Sequence, residues 1–305
     1  MSELTRQRPS EGAIPLRPLT TGELLDSAVA LLRTRPGRLV AFGVLLAAAE
    51  QAVLYPLRSA ADVDLSLAPA TGRLSEFGLL IVAGFVTETL AISTLGAVAA
   101  RGSGRALLGR AAPPAPPVRW GSVITVAILV AAVVAVCTSP TIRATEGGRI
   151  FAVWYGWFIG YLLWALPYGL LGLAAAAVVV ERRGPLGGLL RSLRLSRRDG
   201  LRAVVIRAIG YVSWVLVRVG LIISVVGLLG YLEISLPSST WDRVLIAGAA
   251  LAVNAIAYPV LGCLDVIVLL ETRMRTEGLD IGLRWALRRG VTPSLDAPRR
   301  GGRDG

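Results

Sequence analysis

The chain of 305 residues contains no histidine and no lysine. Their absence excludes a Ser-His catalytic pair, a histidine metal site, a lysine Schiff base and a P-loop lysine. Cysteine is scarce as well: Cys137 and Cys263 lie in separate apolar stretches, so neither a thiolate metal cluster nor a disulfide framework is available. Charge is sparse, at 17% of residues against 54% hydrophobic, and the mean hydropathy is +0.65. Water-soluble globular chains do not have that balance. The sequence therefore reads as an all-α, polytopic helical integral membrane protein with no cofactor and no catalytic constellation. The basic residues are all arginine, 32 of them, and the pI is near 11.0. Such a charge also suits nucleic acid, but the position of the arginines relative to the apolar stretches decides for membrane topology instead.

Six stretches, near 39–57, 77–100, 120–139, 150–180, 205–231 and 244–270, approach or exceed the roughly 20 residues that a hydrocarbon core of about 30 Å requires. The first 38 residues hold six arginines, 101–119 four, 181–207 eight and the stretch from 271 eight, in all 26 on one side. The alternate loops 58–76, 138–149 and 232–243 hold five between them, and Arg218 lies inside the fifth stretch. By the positive-inside rule both termini are expected in the cytoplasm, in a multi-pass protein of the bacterial cytoplasmic membrane. The first eighteen residues are polar, so no cleavable signal peptide is expected. Tyr55, Trp154, Tyr155, Trp157, Tyr231 and Trp241 fall near expected outer ends and Trp120 near an inner one, the headgroup level that amphipathic rings prefer. Pro167 in the long fourth stretch predicts a kink or steep tilt, with a break into two short helices as the alternative. Gly156 and Gly160 form a GxxxG there, which is read as close packing inside the bundle.

Three amphipathic stretches lie outside the spans. Thr20-Thr21-Gly22-Glu23 reads as a capping box, and Leu24, Leu25, Ala28, Leu31 and Leu32 then form a stripe closed by Arg33, Arg35 and Arg38. Pro185 opens the second, where Leu186, Leu189, Leu190 and Leu193 oppose Arg191, Arg194 and Arg198. The third sets Leu279, Leu283, Ala286 and Leu287 against Arg284 and Arg288. Elbow helices near 20–35, 185–199 and 277–289 are thus expected, either in the bilayer interface with arginines on anionic lipid headgroups or packed on the bundle. Arg191, Arg194 and Arg198 are the candidate headgroup contacts. The first two elbows precede spans of the same orientation about 164 residues apart, as parallel internal repeats would place them. The frame is then a tail over 1–19, a single six-span domain over 20–290, and a disordered cytoplasmic tail over 291–305 rich in Pro, Gly, Arg and Asp.

Ile14-Pro-Leu-Arg-Pro-Leu-Thr-Thr-Gly-Glu-Leu-Leu-Asp26 and Arg33-Thr-Arg-Pro-Gly37 resemble the opening of actinobacterial glycerophosphoryl diester phosphodiesterase membrane-domain-like proteins. Val180-Glu-Arg-Arg-Gly-Pro185, Arg191-Ser-Leu-Arg-Leu195 and Arg273-Met-Arg-Thr-Glu-Gly-Leu-Asp280 agree with the same family. The resemblance implies a six-span bundle with elbow helices. In some proteins this membrane part is fused to a soluble phosphodiesterase barrel that uses catalytic histidines and metal-binding carboxylates. With no histidine and no room for the barrel, this chain is not expected to carry the named activity.

Asp62-Val-Asp64 resembles an acidic pair for a divalent ion but lacks a third ligand, so it reads as ordinary loop polarity. Ala112-Pro-Pro-Ala-Pro-Pro117 reads as a stiff polyproline spacer. Glu50, Glu88, Arg218 and Asp265 are ionisable residues inside the spans, where lipid exposure costs a few kcal/mol each, so they are expected to face the interior as a polar site. Glu50, Glu88 and Arg218 lie 11, 12 and 13 residues from the inner ends of their spans, which places them in one layer roughly 16–20 Å deep. Asp265 is expected in a shallower layer. One arginine against two acids leaves a surplus carboxylate in the deeper layer. Two functions fit these residues: a non-enzymatic membrane assembly or lipid-organising component, whose partners are the bilayer and its anionic headgroups, and a transporter or channel for a small solute or lipid with the buried acids on its path. The first is favoured because the spans contain few polar residues and no matched pair of broken helices.

Overall fold

A computed structural model describes residues 13–65, 67–70, 72–112, 114–115, 117–146, 149–233 and 238–295, apart from the side chains of 149–156. The described residues form helices and no strand: α1 Thr21–Arg33, α2 Pro36–Ala60, α3 Leu74–Ala100, α4 Ser103–Leu108, α5 Trp120–Thr138, α6 Pro140–Thr145, α7 Arg149–Leu171, α8 Ala174–Val180, α9 Pro185–Arg198, α10 Arg202–Tyr231, α11 Ser239–Glu277 and α12 Leu279–Arg288. Six spans are long and apolar enough to cross a membrane, with α5–α6 and α7–α8 each serving as one. The protein is a multi-pass membrane protein. Both ends of the described chain lie at the same end of the bundle, here called the base. Trp154 and Tyr155, expected at an outer end, and Gly156 of the GxxxG lie outside the described side chains, and residues 1–12 and 296–305 of the two tails lie outside the described residues.

Helices α3 and α11 form the centre. They cross at backbone contact, where a Cβ added to Gly262 would meet the Gly96 nitrogen at 2.7 Å, so only glycine admits the crossing. Around them, α2, α5 and α7 bury one face each and α8 is buried all round, while α10 is peripheral and turns most of its apolar side chains outward. Helix α11, at 39 residues, is about 58 Å long against a hydrocarbon core of about 30 Å. It is therefore longer than a span needs, and its last turns form part of the base, where they carry Glu271, Arg273, Arg275 and Glu277.

The fourth span is broken, but not at Pro167. The proline sits inside α7, and the helix ends at Leu171, with Gly172 and Leu173 turning the chain into α8. The cause is a buried guanidinium: a Cβ on Gly172 would stand 1.7 Å from Arg207 Nη2. Gly160 of the expected GxxxG packs on Phe85 of α3, an internal contact.

The described parts of both tails pack at the base. Ile14 and Leu19 are buried at the base, the Ile14 amide donates to the Ala106 carbonyl at 3.0 Å, and the Leu19 carbonyl accepts from Arg202 at 3.0 Å and Arg275 at 3.2 Å. The Leu295 carbonyl accepts from Arg273 at 2.7 Å. In place of free tails, arginines tie the chain near both ends to the base through backbone carbonyls that water would otherwise satisfy. Asp62 pairs with Arg243 at 2.6 Å, which joins its loop to the start of α11.

Candidate functional site

One face of α10 carries Arg207, Tyr211, Trp214 and Arg218, the i, i+4, i+7, i+11 spacing of a helical stripe. Arg218 Nη1 stands 2.5 Å from Glu88 Oε1, and the Tyr211 hydroxyl donates to the other oxygen of the same carboxylate. On the opposite side, Asn254 Nδ2 and the Tyr258 hydroxyl donate to Glu50 Oε2 at 2.9 and 2.6 Å. Asn254 Oδ1 in turn accepts from Arg218 at 3.5 Å. The three residues expected in one layer thus meet there, Glu88 by direct contact and Glu50 through one bridging amide. A further charged residue, counted in the outer loop, lies on α2 as well. Arg58, buried two turns along α2 from Glu50, donates to Gln51 at 3.2 Å and leaves Nη1 without a partner.

Asp265 belongs to a second layer nearer the base. Its partner is Arg207, at 2.6 Å and fully buried, which begins the polar stripe of α10 and had been placed in the preceding loop. Arg207 Nη1 also donates to the carbonyls of Tyr168 and of Gly169, the latter at 2.9 Å, and its guanidinium lies 4.1 Å from the Tyr168 ring centroid. These carbonyls lie at the break between α7 and α8; the Tyr168 carbonyl also accepts from the Gly172 amide at 3.0 Å, so it is at Gly169 that the arginine satisfies backbone left open by the interrupted helix. Arg207 Nη2, Asp265 Oδ2 and the Tyr168 hydroxyl are buried and unpartnered.

At the base the orientation of α9 corrects one expected contact. Arg191 does not reach a headgroup; it is 6% exposed, with Nε donating to Glu181 at 2.9 Å and both Nη atoms on Glu277 at 2.5 Å. Burial works against its charge, but the hydrogen bonds to Glu277 and Glu181 outweigh this and hold its pKa above the usual arginine value. The reason is geometric. Glu181 ends the fourth span and Glu277 ends α11, two buried or half-buried carboxylates that require a cation between them. Arg273 adds contacts of 3.3 Å to both. Ser192, beside Arg191, donates to the Leu170 carbonyl at 2.7 Å and so serves the same helix break as Arg207. Arg194 and Arg198 are exposed, as expected of headgroup contacts.

Compared with protein-family models, curated proteins and solved structures, the chain matches none. The site is therefore argued from its own geometry. Of the residues missed in the sequence, Arg207, Tyr211, Asn254 and Tyr258 were legible as helical stripes continuing from Arg218 and Asp265. Glu181 and Glu277 were not, because their partner Arg191 is remote from Glu277 in the chain.

Proposed function

We propose that the protein is a non-enzymatic lipid-organising component of the bacterial cytoplasmic membrane, with its base in the cytoplasm and anionic headgroups gathered along α9 and α12. The outward face of α9 carries this reading. Leu186 and Leu190 are 69% and 62% exposed, and Arg194, Arg197 and Arg198 stand exposed on the turns that follow. Leucines left outward beside guanidiniums, where spans end, form the surface an interfacial helix offers to acyl chains and phosphates. Helix α12 repeats the pattern, with Ile281 and Trp285 exposed and Arg289 stacked over Trp285 at 3.9 Å. The cytoplasmic placement rests on the arginine excess at the base. The motifs resembling the glycerophosphoryl diester phosphodiesterase membrane-domain-like proteins fall mainly on the base, and membership of that group without its named activity is part of this proposal.

The test uses the full chain reconstituted in mixed phosphatidylcholine and phosphatidylglycerol bilayers, with spin-labelled lipid reporting the immobilised fraction. Each arginine near an anionic surface contributes about 1 kcal/mol. Replacing Arg194, Arg197 and Arg198 with glutamine should remove most of the preference for phosphatidylglycerol. An unchanged preference rejects the reading.

A second reading, a carrier of a small solute, is favoured by one observation: a broken span beside a buried ion pair is the arrangement in which transporters form midplane sites. Cys263, buried two residues before Asp265, separates the two. A carrier opens water access to it, so a permeant thiol reagent labels it at the rate of an exposed thiol. In the lipid-organising reading Cys263 stays protected and Cys137 alone reacts, from outside the cell.

A further inference from the structure

A cavity of about 300 Å³ at the base has four arginines in its wall, Arg35, Arg101, Arg105 and Arg182, and among the described residues no carboxylate. They come from different elements: Arg35 precedes α2, Arg101 and Arg105 flank the start of α4, and Arg182 follows α8. Arg35, Arg101 and Arg105 form no ion pair among the described residues, and Arg101 Nε is buried without a hydrogen-bond partner. Elsewhere at the base the buried and half-buried arginines meet acids or carbonyls: Arg191 and Arg273 reach Glu181 and Glu277, and Arg202 reaches Glu271. Like charges gathered around one concavity repel in the absence of an anion, and arginine forks match phosphate oxygens in twos. The remaining wall is mixed: Ser103, Thr292 and Ser294 line it together with Ala100, Leu295 and the buried Val179 and Val180 at the end of α8. The cavity therefore offers guanidiniums and hydroxyls beside short apolar side chains, at the level where the spans end.

We propose that this cavity binds a single phosphate-bearing group, either the headgroup of an anionic phospholipid or a soluble phosphate ester. The site is separate from the outward face of α9 and does not depend on it. The α9 surface would gather many lipids weakly, whereas the cavity would hold one ligand at fixed stoichiometry.

The full chain in a mild detergent, titrated with phosphatidylglycerol and followed by native mass spectrometry, should take up one lipid saturably. The doubly substituted Arg101→Gln, Arg105→Gln protein should bind at least tenfold more weakly, while Arg143→Gln, exposed at the other end of the bundle, changes affinity less than twofold. Melting temperature guards against misfolding: the double variant melts no lower than the wild type without lipid, since unmatched charges have been removed, and it loses the upward shift that lipid gives the wild type. Inorganic phosphate and glycerol 3-phosphate decide the source. Saturable binding of either with no lipid uptake assigns a soluble phosphate ester; lipid uptake that millimolar phosphate does not displace assigns a headgroup held with its chains. Asp296 follows Leu295 of the cavity wall, so Asp296→Asn is included. Binding seen only in that variant means that the chain's own carboxylate fills the cavity, which overturns the proposal. So does lipid uptake equal in the wild type and the arginine double variant, or no saturable binding of any of the three probes.

Discussion

Helices α1 and α9 bury the same positions in register and present opposite chemistry. Leu24, Ser27, Ala28 and Leu31 of α1 face the bundle; Gly188, Arg191, Ser192 and Leu195, each 164 residues further on, do so in α9. Outward, α1 shows Gly22 and Asp26 where α9 shows Leu186 and Leu190. The first elbow packs as a globular protein's surface helix does, apolar side in. The second is inverted: its inner face meets two carboxylates and an open helix break, and Leu186 and Leu190 are left outward. An amphipathic pattern thus fixes that a helix has two faces, and the charges of its neighbours decide which one turns inward.

The largest effects should come from the inverted face. Arg191→Gln leaves Glu181 and Glu277 with less cover, a loss of about 3–5 kcal/mol as for other broken buried pairs, whereas exposed Arg194→Gln should stay within about 0.5 kcal/mol. Chemical denaturation in detergent measures both, and equal effects would mean that α9 is turned the other way. Next, Leu31→Ala in α1 opens a cavity in the base and should cost about 2–4 kcal/mol. Leu190→Ala in α9 should cost less than about 1 kcal/mol by the same measurement, because the side chain is turned away from the core.

How far these differences were legible can be argued residue by residue. The six spans, the capping box of α1 and the shared layer of Glu50, Glu88 and Arg218 followed from period, spacing and depth alone. The capping box is closed as its residues suggest: the Thr20 amide donates to Glu23 Oε2 at 2.8 Å and the Glu23 amide donates to Thr20 Oγ1 at 3.4 Å. The inward turn of Arg191 was not legible, because its two acids come from helix ends far apart in the chain. Nor was the break at Gly172. Proline marks where a helix loses a donor, but here the chain parts where a guanidinium from α10 needs room, and nothing local to Gly172 records that.

Smaller effects sharpen the same contrast. Ser192→Ala removes the hydroxyl that serves the Leu170 carbonyl and should cost about 1 kcal/mol, while Ala28→Ser, at the matching position of α1, buries a hydroxyl where the inner face is apolar and should also destabilise. The smallest is a pH effect at the start of α1. Hydrogen bonds from Arg17 first, then from Thr20, hold the Glu23 carboxyl at about 2, below its unfolded value near 4.5. A depressed carboxylate stabilises above the unfolded value and ceases to do so as pH falls through the folded one. Amide exchange at the first turn of α1 should therefore be independent of this group above about pH 5 and gain protection-loss only between about pH 4 and 2. The first turn of α9 has no side-chain cap and should show no such transition.

The most direct measurement is nitroxide accessibility in the reconstituted full chain, with labels placed singly at Asp26 and at Leu190 after Cys137 and Cys263 are replaced by serine. These positions correspond in the two elbows. The inverted arrangement predicts that the label at 190 is relaxed by oxygen, which concentrates in the bilayer, and shielded from a water-soluble nickel chelate, with the reverse at 26. A label at 190 that is open to the nickel chelate and poorly reached by oxygen would place α9 in water and contradict the account.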